Sequence, residues 1–131
     1  MSARACAHTD TTFFRPGDNP AIVIADMQRV IGVMDDAIAY FTNPFRRATH
    51  AGYLGEGRFE IPLLVPRPGG QLRWVEGIHQ VNVAFDNGLG VIPLSTSLAL
   101  ANVLHALVGA PDQEAARQSF DFCSCGATPI I

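Results

Sequence analysis

His79, in the run Gly77-Ile78-His79-Gln80, is the side chain best suited to chemistry near neutral pH. An imidazole exchanges its proton at about pH 6.5 and can both donate and accept hydrogen bonds. On the residues alone, though, a single histidine between apolar segments is most simply a solvated loop residue. Asp26 directly follows an apolar stretch, a place that suits a charged functional group but equally the N-cap of a helix, which is the expected role. With Arg67 and His79 it would mark a ligand site at the ends of strands. Asp35 and Asp36 are adjacent, so on a helix they point about 100 degrees apart and form no acid/base dyad. His50 and His105 have no partner at a useful spacing and read as structural. The cysteines are Cys6, Cys123 and Cys125. Their odd number, and a Cys-Ser-Cys pair without the two-residue spacer of a zinc or redox motif, predict reduced thiols and no metal site.

Any such residues must be positioned by a scaffold, and composition bounds what it is. A chain of 131 residues with 48% hydrophobic content builds one domain with a real core. The 16% charged fraction is low, which implies that part of the surface lies against another chain. A net charge of −3, with Arg46, Arg47, Arg67 and Arg73 scattered among acids and prolines, argues against a nucleic-acid partner. No charged-then-apolar leader is evident at Met1, and no apolar run approaches the roughly 20 residues that span a bilayer. A cytoplasmic location is therefore expected.

Residues 1–20 read as an irregular lead-in and 21–131 as one α/β domain. The continuous apolar run 21–25 predicts a strand buried on both faces. Met27, Val30, Ile31, Met34, Ile38 and Phe41 recur at helical spacing behind it, with Asp26 as cap and Pro44 as stop. Residues 45–59 read as a polar loop, 61–65 as a second strand opened by Pro62, and 66–70 as a turn. Residues 71–87 lack clear periodicity except for a short helix over 78–85. A third strand is expected over 89–93. A helix capped by Ser95 or Thr96 then runs over 97–107 to Gly109 and Pro111. Residues 111–118 read as a helical turn and 119–123 as an edge strand. This alternation predicts a three-layer fold, a mostly parallel sheet with helices on both faces and ligands at the carboxyl ends of its strands.

The order of these segments resembles the pyrimidine-binding domain of the transketolase superfamily, closest to the beta subunits of 2-oxoacid dehydrogenase first components. The resemblance covers about residues 21–107. It is carried by the strand 21–25, the helix with Asp35-Asp36, the Pro62–Val65 stretch and Arg67-Pro68-Gly69-Gly70. Gly77-Ile78-His79-Gln80 and Gly88-Leu89-Gly90-Val91-Ile92-Pro93-Leu94-Ser95-Thr96 follow, then Val103-Leu104. The resemblance implies a cofactor, thiamine diphosphate, shared with a partner chain that carries the diphosphate-binding domain and holds the magnesium. It implies that His79 is catalytic, and that Met27 or Arg29 takes the place of an aromatic ring stacked on the pyrimidine. The family's cofactor-activating glutamate has no counterpart, since Asp10 and Asp18 are the only acids ahead of residue 21. A partner would supply it, in a homo- or hetero-oligomer. Phe120-Asp121-Phe122-Cys123-Ser124-Cys125 stands where the family has a closing strand with its own glutamate. The expected function is thus a partial subunit of a thiamine-diphosphate-dependent enzyme acting on a 2-oxo acid or ketose, incomplete alone, by decarboxylation and dehydrogenation or by carboligation. The alternatives are a non-catalytic interaction remnant of such a domain and an unrelated small α/β ligand-binding protein.

Overall fold

The computed structural model describes residues 3–6, 18–34, 43–111, 120–122 and 129–131. Among them the chain runs β1 (Ala3–Cys6), β2 (Pro20–Asp26), α1 (Met27–Val33), α2 (Pro44–Gly55), β3 (Arg58–Glu60) and β4 (Leu63–Arg67). It continues through β5 (Gln71–Glu76), α3 (Ile78–Asp86), β6 (Val91–Ser97), a 3-10 turn (Leu98–Leu100), α4 (Ala101–Val108) and β7 (Phe120–Asp121).

The apolar run after Pro20 becomes the most enclosed strand, with Ala21, Ile22, Val23, Ile24 and Ala25 fully buried. Asp26 ends it and caps α1, its carboxylate accepting from the Arg29 N–H at 3.1 Å. β2 pairs along its whole length with β6, antiparallel, from Pro20↔Ser97 to Asp26↔Val91. β4 and β5 form an antiparallel hairpin turned by Gly69 and Gly70, both at positive φ where residues with a Cβ are strained. β4 joins β6 in parallel through Leu63↔Ser95, completing a four-stranded sheet in the order β2-β6-β4-β5. Pro66 lies beyond that shared ladder, so its missing N–H is compatible with a place inside β4. A second sheet, β3-β1-β7, is parallel throughout. α4 packs on β2, β4 and β6, and α1 packs on β2 and α4. One core gathers Ile22, Val30, Leu64, Val81, Leu94 and Leu104. No helix among the described residues is long and apolar enough to cross a membrane.

The chain is therefore mixed α/β, and the four-stranded sheet is mixed rather than mostly parallel. The apolar runs correctly indicate strands covered on both faces, but burial carries no information about the direction of a neighbouring strand. Other expectations change for local reasons. Residues 45–59 hold helix α2, because Asn43 supplies the cap and Pro44 sits at the first helical position, where its lost N–H would be unpaired anyway. Residues 71–76 form β5. β6 continues through Ser97, making Ser95 and Thr96 buried strand residues instead of helix caps. β1 lies inside the expected lead-in. Asp35, Asp36, Ile38, Phe41, Cys123, Cys125 and the expected turn over 111–118 fall largely or wholly outside the described residues.

Candidate functional site

His79 sits at the start of α3, where β5 reaches the helix through a single residue, Gly77. Gly77 adopts φ +127, and a Cβ placed there would fall 2.6 Å from Pro62 Cα and 2.9 Å from Pro62 Cγ. The turn thus presses directly on the entry to β4, whose Pro62 carbonyl accepts from the Ser95 N–H at 2.8 Å. Gly77 offers no side-chain cap to the start of α3.

The facing wall is the first turn of α2. Asn43 Oδ1 accepts from the Phe45 N–H at 2.9 Å and the Arg46 N–H at 3.3 Å, and the Asn43 N–H donates to His79 Nε2 at 2.8 Å. An imidazole that accepts at Nε2 is neutral and carries its proton on Nδ1. Burial holds the His79 pKa below the ordinary histidine value, and the nearby charges of Arg46, His50 and Arg47 act in the same direction. Arg47 pairs with Asp86 at the far end of α3, tying the two helices together. Along α2, the His50 ring meets Tyr53 edge-on at 5.7 Å, and the Arg58 guanidinium lies over the Tyr53 ring at 4.4 Å. Asn43→Ala removes the α2 cap and is expected to lower stability by about 1 kcal/mol, or roughly 4 °C in Tm for a domain of this size. Thermal unfolding followed by circular dichroism checks it, and an unchanged Tm would show that the cap contributes nothing.

Between these walls lies an open cavity of about 220 Å³, lined by Arg46 and His50 of α2, Val75 of β5, and Gly77, His79 and Gln80 at the start of α3. Among its described lining residues there is a cation, two imidazoles and an amide but no carboxylate. That combination suits a small anion able to exchange a proton with a neutral imidazole. Cavities for drug-sized ligands measure about 300–1,000 Å³, so this one matches a short acid rather than a whole dinucleotide-sized cofactor.

The other residues singled out from sequence lie elsewhere. Met27 is 1% exposed and part of the core. Arg29 is exposed, and its Nη1 donates to the Gly109 carbonyl at 3.1 Å, at the carboxyl end of α4, where a cation is favourable. Both follow β2, whereas His79 follows β5, and these strands are the opposite flanks of the four-stranded sheet. Three strand spacings of about 4.8 Å put roughly 14 Å between them. Arg67 lines a separate hollow of about 100 Å³ with Arg73, Val65 and Val75. Met27 and Arg29 therefore lie on one flank of the four-stranded sheet and His79 on the other. No group of three or more His, Cys, Asp or Glu among the described residues could hold a metal ion.

Arg46, His50 and Gln80 were not legible as site residues from sequence. Arg46 and His50 are four apart, the spacing that shares one face of a helix, but that signal needs α2 to be recognised first. Compared with family models, curated proteins and solved structures, the chain matches none of them.

Proposed function

We propose that this chain is a partial pyrimidine-domain subunit of a thiamine-diphosphate-dependent enzyme acting on a 2-oxo acid or ketose. A partner chain would hold the cofactor and its magnesium, and supply the missing glutamate, in the cytoplasm. The observation that carries the reading is the neutral His79 on the wall of a small cavity that also contains Arg46. In that role the Arg46 charge draws in the acid, and His79 bonds one of its oxygens and moves a proton near neutral pH. Arg29 remains at the surface for a cofactor contact completed by the partner, while Met27 is enclosed. The three-layer arrangement of that domain type belongs to this reading, while the four-stranded sheet is mixed, with β2–β6 and β4–β5 antiparallel.

The separation of His79 from Met27 and Arg29 favours a second reading, a small α/β protein that binds an organic acid at the His79 cavity with no cofactor. Isothermal calorimetry with thiamine diphosphate and magnesium, on the chain alone and on its complex with any co-purifying chain, separates the two. Heat that appears only in the complex and fades in His79→Ala is the result expected of an enzyme subunit. Absence of binding in both samples overturns the cofactor reading and leaves a non-catalytic remnant or an unrelated small α/β protein.

A further inference from the structure

Helix α2 buries none of its 12 residues. A helix of that length is marginal in water, and most helical stability in proteins comes from packing an apolar face. Of the side chains packed against the core, α2 contributes Leu54, near its carboxyl end. At the other end stands Phe45, 84% exposed and part of neither described core cluster. One exposed apolar side chain needs no explanation by itself. Phe45, however, is held in place. Asn43 accepts from two N–H groups of the first turn, and Pro44 fixes the first helical φ, so the ring is presented with little backbone freedom left to lose on binding. It is also next to Arg46, which lines the open cavity, and is rotated from Arg46 by about 100 degrees around the helix, so the ring stands beside the cavity without entering it.

The cavity can take an aromatic ring. Its volume is about 220 Å³, and an apolar cavity of about 150 Å³ already admits benzene. Val75 and Ile78 supply apolar wall, and the His50 and His79 rings supply the faces and edges against which a phenyl packs.

We propose that this end of the molecule is a self-association surface, in which Phe45 of each copy seats in the mouth of the other copy's His79 cavity. Ring and cavity adjoin on one turn of α2, so a two-fold axis beside that turn engages both pairs at once, with the same patch serving on each side. A foreign partner would need both a pocket for Phe45 and a group for the cavity, whereas a second copy carries both. Phe85, 46% exposed near the end of α3, where Asp86 pairs with Arg47, extends the apolar surface along the same two helices. The low charged fraction of the chain, 16%, agrees with a surface that is partly covered. Each cavity then contains a residue of the other copy and is closed by it from bulk water. This contact does not depend on which ligand the cavity binds.

The test uses the full chain over a range of concentrations. Sedimentation is expected to show a monomer–dimer equilibrium. Phe45→Ser, at an exposed position, is expected to weaken it about tenfold or more while leaving the Tm of dilute, monomeric protein unchanged. In a mixture of ¹³C-labelled and unlabelled chains, isotope-filtered NMR is expected to show magnetisation transfer between the Phe45 ring of one copy and the Ile78 methyls of the other. A chain that stays monomeric at millimolar concentration overturns the proposal. So does a dimer that Phe45→Ser leaves intact, or one with no Phe45–Ile78 transfer between copies. Phe45 signals that shift only when a co-purifying chain is added assign the surface to that chain and overturn the second copy as its occupant. The wild-type transfer decides the matter even where the variant fails to fold. Absence of thiamine diphosphate binding in the calorimetry changes none of these outcomes.

Discussion

Replacing Gly77 with alanine is expected to remove roughly 4 kcal/mol of stability, a large part of the 5–15 kcal/mol that holds a typical domain together. Two separate effects add. The backbone at φ +127 lies where residues with a Cβ are strained, at about 1–3 kcal/mol. The new methyl would also overlap Pro62, and forcing extra atoms into a packed place costs about 1–3 kcal/mol more. Pro62 cannot retreat easily, because its carbonyl is bonded to Ser95 in β6 and its ring opens β4. Gly88→Ala is the matched control, since Gly88 also has positive φ, at +75, but a Cβ there meets nothing within 4 Å. That variant should lose only the conformational part, about 1–2 kcal/mol. Urea unfolding of both proteins isolates the steric part, and equal losses would show that the Gly77–Pro62 contact is relieved by movement elsewhere. The same substitution displaces the start of α3, so His79 and Gln80 would leave the cavity even in whatever fraction stays folded.

That one glycine illustrates what could and could not be read ahead of the structure. Residues 21–25, Asp26 and the helix behind them were legible because burial, helical spacing and capping are local and agree. The short helix over 78–85 was visible for the same reason. α2 was not, because it buries no residue and Arg, Thr, His and Gly make up half of it. Its only advance signal is Asn43-Pro44, and a proline after an apolar helix reads equally well as a stop. β5 carries Leu72 and Trp74 toward the core with Arg73 exposed between them, but so short an alternation needs its partner β4 to be recognised. Ser95 and Thr96 look like caps by type, while their pairing with Ile22 and Ala21 decides otherwise. β1 depends on β3 and β7, more than fifty residues away, and no property of residues 3–6 encodes that. The site follows the same division. His79 stood out by its type, but its partners Asn43 and Arg46 come from the helix that periodicity missed, and Gln80 is notable only once its amide is seen to be buried and unpaired.

If the chain acts as the proposed enzyme subunit, removing the imidazole has the largest expected effect: His79→Ala should lower the kcat of the complex by about 10²–10⁴-fold, the usual contribution of a positioned proton-transfer group. The pH dependence distinguishes that role from a purely structural one. His79 in the folded chain binds its proton less readily than an ordinary histidine, first because it is buried and then because Arg46, His50 and Arg47 face it. Among the described carboxylates, Asp86 pairs with Arg47 and Glu60 lies 3.9 Å from His50. Below about pH 6.5 the unfolded chain therefore takes up the proton before the folded one. The stability that His79 contributes is complete above that pH and declines as pH falls through its lower, folded value. Protonation also destroys the acceptor for the Asn43 N–H, so the two helices lose one of their direct links and keep the Arg47–Asp86 pair. Wild-type Tm should accordingly fall more steeply than that of His79→Ala between pH 7 and pH 5, and the acid limb of the activity profile should lie below pH 6.5. An acid limb above that value, or parallel Tm curves for the two proteins, would mean that His79 is charged in the working site and that the Asn43 contact does not govern it.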